Sequence, residues 1–113
     1  MKRYCLALDL IDDPNLIAEY ERYHSKVWPE ILKSIHEAGI AEMQIYRVSN
    51  RLFMIMVTTV DFQFEKKAEA DARNEKVQEW EELMLNYQQL IPGTKAGEKW
   101  RLMEMIFESK QKV

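Results

Sequence analysis

Hydrophobic and polar residues alternate at the start of the chain. Four apolar side chains occupy every second position, and the residues between them are small or polar: Tyr4, Leu6, Leu8 and Leu10 on one side, Cys5, Ala7 and Asp9 on the other. A period of two is typical of a β-strand, in which successive side chains point to opposite faces. The pattern therefore predicts a strand over residues 4–10 with one apolar face and one face of small or polar residues.

The next segment changes to helical spacing. Asp13 and Pro14 are typical of the N-cap and the first residue of a helix, and apolar or ring-bearing residues follow at positions 16, 17, 20, 24 and 27. Pro29 interrupts this pattern, because the residue before a proline avoids helical backbone angles. A second helix is predicted from Pro29 to Gly39, since glycine commonly ends a helix.

The rest of the chain predicts a hairpin, two further helical segments and a last strand. Residues 40–48 and 52–60 have strand character and are joined by a short, turn-prone link, whereas residues 65–72 predict a short exposed helix or turn. Helical spacing is strongest in the segment that follows, which comprises Val77, Trp80, Leu83, Met84, Tyr87 and Leu90. This segment predicts one long amphipathic helix that ends before the next Pro-Gly pair. Residues 99–107 alternate again and predict a fourth strand.

The predicted order, β-αα-β-β-α-β, is that of a ferredoxin-like α+β sandwich, with helices on one face of the sheet. We expect a single domain over residues 1–113. The strands supply apolar residues to both faces of the sheet, for example Leu6, Leu8, Met54 and Met56 on one face with Cys5, Ala7, Phe53 and Ile55 on the other, and Met103 and Met105. Because an apolar second face has to be buried, we expect a homodimer that forms through the open sheet face.

Composition and charge argue against several classes of function. The 113 residues include 16 basic and 19 acidic side chains, for a net charge of −3, and no basic run favours binding to a nucleic acid. No apolar stretch approaches the roughly 20 residues that a membrane span requires, and the first residues do not resemble a secretory signal. A single cysteine, Cys5, cannot form an internal disulfide, which favours the reducing cytoplasm.

Motifs for metal binding and nucleophilic catalysis are weak. His24 and His36 lie in different predicted helices, and the sequence has no C-x-x-C or H-x-x-x-H pattern. Cys5 lies within a predicted strand, where a small buried thiol is the ordinary interpretation. We therefore expect neither a metal ion nor another cofactor.

One cluster of ring-bearing side chains remains. Tyr20 and His24 are four residues apart and share one face of the first helix, and Trp28 follows four residues later. A histidine can exchange protons near neutral pH, and aromatic faces can pack on the apolar faces of sugar rings. The cluster suggests a pocket at the end of the helix, although each of these residues also has a purely structural explanation.

Several runs resemble the L-rhamnose mutarotase family, in order and along nearly the whole chain. They are Glu19-Tyr20-x-x-x-His24-x-x-x-Trp28-Pro29-Glu30, Ile45-Tyr46 followed by Leu52-Phe53-Met54-Ile55-Met56, Val77-Gln78-x-Trp80-x-x-x-Met84, and Met103-Glu104-x-Ile106-Phe107. The resemblance implies a dimeric α/β barrel of ferredoxin-like subunits. It also implies a cofactor-free isomerase, a mutarotase that interconverts the α and β anomers of a 6-deoxy-L-hexose.

The resemblance also implies roles for individual residues. His24 matches the family's proton donor, Tyr20 matches a sugar-binding residue, and Trp80 matches the first of two adjacent tryptophans that contact the sugar. The second tryptophan is Glu81 here, and the family's strand-borne substrate tyrosine is Met43. Without the resemblance, Trp80 and Met43 would be assigned to the core and Glu81 to a solvated helix face. A branch of the family that resembles this sequence acts on L-fucose, and such replacements alter which sugar hydroxyls a site recognises.

Two other functions fit the same fold. One is a cofactor-free monooxygenase or haem-binding dimeric barrel, in which His24 would be an axial ligand. The other is a non-catalytic barrel that binds a ligand or partner. Within the mutarotase hypothesis, His24 protonates the ring oxygen or the anomeric oxygen, and the base remains open among Glu81, Asp9 and a water molecule.

Overall fold

A computed structural model of the chain describes residues 1–111. Its elements, in chain order, are β1 (Lys2–Leu10), α1 (Pro14–His24), α2 (Pro29–Glu37), β2 (Ile40–Val48), β3 (Arg51–Thr58), α3 (Phe64–Ala72), α4 (Glu75–Met84), β4 (Gln88–Gln89) and β5 (Arg101–Leu102). No helix among these residues has the length and apolar character needed to cross a membrane.

Local capping signals set the ends of the first two helices. The Asp13 carboxylate accepts hydrogen bonds from the backbone N–H groups of Asn15, at 2.9 Å, and Leu16, at 3.1 Å, which satisfies donors that lack an intrahelical partner. Trp28 has extended backbone angles, φ −57° and ψ 136°, and begins α2 at Pro29. The predicted helix starts and the break between the two helices are confirmed.

The strands form an antiparallel sheet in the order β2-β3-β1-β4, and β5 also pairs with β1. Leu6 lies opposite Met54 and Leu8 lies opposite Leu52, and these side chains are buried. The buried side chains of the sheet and helices form two adjoining clusters, with Tyr20, Trp80 and Tyr87 in one and Leu6, Met54 and Phe62 in the other. The core therefore lies between one face of the sheet and the helices, and the predicted α+β sandwich is confirmed.

The last third of the chain departs from the sequence prediction. Helix α4 ends at Met84 rather than continuing to Leu90, because the chain leaves the helix to pair with β1. The backbone N–H of Ile11 donates to the carbonyl of Tyr87 at 2.8 Å, and Gln88 lies opposite Leu10. Tyr87 still packs in the core, so it satisfies the hydrophobic pattern without helical geometry.

The fourth predicted strand is also much shorter than residues 99–107. Only Arg101–Leu102 is a strand, and the backbone N–H of Met103 adds one further bond to the carbonyl of Cys5, at 2.7 Å. The side chains that continue the predicted alternation, Met105, Ile106 and Phe107, are exposed. An apolar pattern is not sufficient for a strand when no neighbouring backbone completes its hydrogen bonds.

Candidate active site

A cavity of about 780 Å³ lies between the helices and the buried face of the sheet. Its volume falls in the range of roughly 300–1,000 Å³ that is typical of small-molecule sites. All five residues predicted from the sequence to form the site line this cavity: Tyr20, His24, Met43, Trp80 and Glu81. The fold therefore brings together residues of α1, β2 and α4 that are up to 61 positions apart in the chain, from Tyr20 to Glu81.

His24 is the last residue of α1, and one hydrogen bond fixes the chemical form of its ring. Its Nδ1 lies 2.9 Å from the backbone carbonyl oxygen of Tyr20. A carbonyl oxygen can only accept a hydrogen bond, so Nδ1 carries a proton and donates it. In the neutral ring, Nε2 then holds the free lone pair, and it is the nitrogen that remains available to a bound molecule.

Burial favours the neutral form of this imidazole. Removing the ring from water lowers the pKa of His24 below 6.5, and the bond to the Tyr20 carbonyl only partly opposes that effect. At neutral pH the ring is therefore mostly uncharged, with Nε2 able to accept a proton. A neutral histidine that exposes one basic nitrogen to a cavity can act first as a base and then as an acid.

Aromatic rings surround His24. The Tyr20 ring centroid is 4.2 Å from that of His24 with an interplanar angle of 30°, and the Trp80 ring meets His24 edge to face at 5.4 Å. Trp28 packs against Trp80 at 5.1 Å and belongs to the core cluster rather than to the cavity lining. These rings pack on the imidazole, and Tyr20 and Trp80 give the cavity an aromatic wall.

The Tyr20 hydroxyl is held in its neutral form. Burial raises the pKa of Tyr20 to about 12, although the side-chain interaction with Gln88 acts in the opposite direction. Tyr20 therefore keeps its phenolic proton at any pH at which the protein functions. Its chemistry in the cavity is that of a neutral hydrogen-bonding group, not of a base.

Met43 and Glu81 approach the cavity from opposite layers. Met43 lies in β2 opposite Met56 of β3, and Glu81 follows Trp80 in α4. Both side chains are partly buried at the cavity wall. A carboxylate and a thioether thus border the same space as the His24 ring.

Asp9 is excluded from the site, which corrects its candidacy as the base. It lies directly opposite Arg51 in the sheet and accepts two hydrogen bonds from that guanidinium, at 2.7 and 3.0 Å. Because side chains alternate along a strand, Asp9 points away from the face on which Leu8 and Leu10 pack against the helices. The carboxylate is committed to an ion pair on the other side of the sheet.

The cavity wall also contains polar and aromatic residues that the sequence did not predict for the site, among them Lys67, Asp71, Gln88 and Trp100. Lys67 and Asp71 form an i,i+4 ion pair at 2.5 Å, a spacing that is visible in the sequence, within a helix predicted to be exposed. The sequence gives no comparable signal for Gln88 and Trp100, because these residues reach the cavity only when their segments pair with β1. Among residues 1–111, no group of three or more histidine, cysteine, aspartate or glutamate side chains is arranged to hold a metal ion.

Comparison with known proteins identifies the relatives of this chain. The sequence model of a family described as L-rhamnose mutarotase matches residues 3–109. A protein named L-fucose mutarotase from Xanthomonas campestris pv. campestris is 48% identical over 109 residues, covering 95% of this chain and 87% of that protein.

Two solved structures share the fold at low sequence identity. An L-rhamnose mutarotase from Formosa agariphila superposes with a TM-score of 0.71 at 21% identity, covering 97% of this chain and 100% of that one. Tetracenomycin F2 cyclase from Streptomyces glaucescens, a type-II polyketide cyclase, superposes with a TM-score of 0.62 at 16% identity, covering 99% and 100% of the two chains. At these identities the likeness concerns the fold alone, since one fold supports different chemistries.

Proposed function

Because this chain belongs to the L-rhamnose mutarotase family, we propose that its cavity is the active site of a cofactor-free sugar mutarotase. The reaction is the interconversion of the α and β anomers of a 6-deoxy-L-hexose. One observation carries the assignment of the site: His24 lines the cavity with its Nδ1 engaged by the Tyr20 carbonyl, which leaves Nε2 as the basic nitrogen of a ring whose pKa burial lowers.

His24 is the proposed catalytic residue, and it moves one proton between two oxygens of the sugar. Its Nε2 takes the proton of the anomeric hydroxyl as that oxygen becomes the carbonyl oxygen of the open-chain aldehyde. The bond between C1 and the ring oxygen breaks at the same time, and the ring oxygen receives the proton from Nε2. Both oxygens are attached to C1, so a single imidazole can serve both without a second base.

Ring closure reverses these steps after rotation about the C1–C2 bond. The hydroxyl that was the ring oxygen attacks the other face of the aldehyde and gives its proton to Nε2, which returns it to the carbonyl oxygen. His24 is neutral before and after the cycle, in keeping with its lowered pKa. The family resemblance assigns it the role of proton donor, which corresponds to the second half of each transfer.

The remaining predicted residues are proposed to bind the sugar. The Tyr20 hydroxyl offers a hydrogen bond, Trp80 offers an aromatic face or edge, and Met43 and Glu81 border the space on the two opposite layers. Glu81 is a hydrogen-bond acceptor for sugar hydroxyls in this arrangement, because His24 alone completes the proton transfer.

L-Fucose is the proposed substrate in preference to L-rhamnose. The relative named L-fucose mutarotase is 48% identical to this chain over nearly its full length. The replacements at Met43 and Glu81 also remove two aromatic contacts that the resemblance associates with the rhamnose pattern. A thioether and a carboxylate present different hydrogen-bonding partners to the sugar, and such differences discriminate between epimers.

We also propose that the chain forms a homodimer through the open face of the sheet. Phe53 and Ile55 lie on that face, opposite Ala7 and Cys5 of β1, and are only partly buried within one subunit. Tyr46 of the edge strand β2, opposite Phe53, is 56% exposed. A contiguous apolar surface of this kind is typical of an interaction site.

Residues 1–113 are proposed to act as a single domain in the cytoplasm. The location is supported by one free cysteine, Cys5, since disulfides are rare in that compartment.

Exchange spectroscopy on the sugar tests the proposed function directly. Magnetisation transfer between the two anomeric protons should accelerate on adding protein to L-fucose, and less with its C2 epimer, its C4 epimer and L-rhamnose, which differs from L-fucose at both carbons. A matched titration with haemin should leave the Soret band of haemin unshifted. Sugar that binds without any acceleration of exchange would favour a non-catalytic barrel, and a Soret shift that depends on His24 would favour a haem protein.

A further inference from the structure

Gln88 enters the cavity wall through strand pairing. Residues 88 and 89 form β4, and Gln88 lies directly opposite Leu10, a fully buried residue of β1. Alternation along the strand then directs Gln88 into the cavity and leaves Gln89 exposed. The amide is therefore attached to a fixed part of the sheet rather than to a loop.

The Gln88 side chain has one group engaged and one group without a partner. Its amide interacts with the Tyr20 side chain, whereas its Oε1 is buried and accepts no hydrogen bond from any group among residues 1–111. A buried amide oxygen without a donor is unfavourable, and native proteins seldom retain one. A donor from the contents of the cavity would remove this cost.

The ion pair between Lys67 and Asp71 in the cavity wall does not have this property. Lys67 and Asp71 satisfy each other at 2.5 Å, so a sugar would have to compete with an existing ion pair. Gln88 can reorient its amide at little cost, because rotation about the last bond of a glutamine side chain is broad. Because Oε1 is buried, such a rotation is required before this oxygen can meet a hydroxyl of a molecule in the cavity.

We infer that Gln88 is a substrate-binding residue whose Oε1 accepts a hydrogen bond from one specific hydroxyl of the sugar. The inference rests on the proposed function and extends it, since it adds a residue that determines specificity. A sugar that lacks this hydroxyl, or carries it in the other configuration, would leave Oε1 without a donor. That penalty disfavours the wrong epimer more strongly than a missing apolar contact would.

A cycle of protein and sugar variants tests the inference. The protein variants are Gln88→Met, which keeps the length of the side chain and removes the acceptor, Gln88→Glu, which keeps an acceptor oxygen, and the exposed neighbour Gln89→Met as the matched control. Each is assayed for anomer exchange with L-fucose and with its 2-deoxy, 3-deoxy and 4-deoxy analogues, and each is checked by thermal unfolding.

We expect Gln88→Met to lower kcat/KM for L-fucose about 10- to 100-fold, mainly through KM, and Gln88→Glu to retain more activity than Gln88→Met. With the unmodified protein, one of the deoxy sugars should show a comparable loss in kcat/KM relative to L-fucose. Gln88→Met should not lower kcat/KM for that sugar any further, because the same hydrogen bond is already absent. Gln89→Met should match the unmodified protein for every sugar.

The inference would be overturned if Gln88→Met lowered kcat/KM by the same factor for L-fucose and for all three deoxy sugars. Equal effects of Gln88→Met and Gln89→Met on kcat/KM would also overturn it. If Gln88→Met does not fold, the deoxy sugars are tested with the unmodified protein alone. In that case, a loss in kcat/KM of less than threefold for each of the three deoxy sugars would also overturn the inference. Absence of exchange with L-fucose and L-rhamnose in the unmodified protein is a different result. It would overturn the proposed function and this inference with it.

Discussion

Replacing His24 with asparagine separates the proposed chemistry of the imidazole from its structural role. The asparagine amide nitrogen can occupy the position of Nδ1 and donate to the Tyr20 carbonyl, which His24 contacts at 2.9 Å. The variant has no group that can exchange a proton in place of Nε2. We therefore expect His24→Asn to fold with α1 intact and to lose most of its catalysed anomer exchange.

The structure predicts different magnitudes for the two effects. General acid–base catalysis contributes about 10²–10⁴-fold to a rate, which corresponds to roughly 3–5.5 kcal/mol of activation free energy. The loss in unfolding free energy should be smaller, because the ring makes two aromatic contacts, with Tyr20 at 4.2 Å and with Trp80 at 5.4 Å. Such pairs contribute about 0.5–1.5 kcal/mol each.

Two measurements on the same samples check the reasoning. Selective-inversion NMR on L-fucose gives the exchange rate per protein molecule, and urea unfolding gives the change in stability. Arg22→Asn provides the matched control, because Arg22 is exposed in the same helix and lies outside the cavity lining, and this variant should keep the exchange rate within about twofold. If folded His24→Asn exchanged the anomers within threefold of the unmodified rate, His24 would not be the proton carrier.

Three further results are expected. The rate of catalysed exchange should fall as the pH is lowered through the pKa of His24, which burial places below 6.5. The unfolding free energy should decrease as well, because the unfolded chain takes up the proton at a higher pH than the folded chain. A rate that rises on acidification would contradict this prediction. Ile55→Lys on the open sheet face should reduce the dimer fraction in sedimentation velocity, whereas Ala68→Lys on the exposed side of α3 should not; equal masses for both variants would argue against that interface. Leu8→Ala should lower the free energy of urea unfolding by about 2–5 kcal/mol, because Leu8 is fully buried, whereas Cys5→Ala should cost clearly less; similar losses would contradict the assignment of the two faces.

The parts of the fold that depend on neighbouring residues could be predicted from the sequence. Asp13 caps α1 through its own carboxylate, and Pro29 begins α2, because these signals act within one helical turn. Gly39 ends the second helical segment with a φ of +94°, a backbone conformation that favours glycine. Each prediction required no knowledge of the tertiary structure.

The end of α4 could not be predicted in this way. Tyr87 continues the helical spacing set by Val77 and Trp80 and is buried as that spacing requires, yet it lies outside the helix. The free energy of pairing with β1 determines the conformation there, through the bond from Ile11 to the Tyr87 carbonyl. Hydrophobic periodicity reports which side chains are buried, and it cannot distinguish between helix and strand pairing over a few residues.

In the candidate site, too, the residues within one helix could be predicted from the sequence, whereas those positioned by strand pairing could not. Tyr20 and His24 could be found from the sequence because both lie on one face of a helix and in one run that resembles the family. The hydrogen bond between them also forms within α1. Gln88 and Trp100 reach the cavity only because their segments pair beside β1. We propose that α1 supplies the proton carrier in a fixed tautomer, and that Met43, Glu81 and Gln88, which lie outside α1, determine which sugar fits. Because these residues and His24 belong to different structural elements, we expect substitutions at them to change the substrate while the proton transfer at His24 is retained.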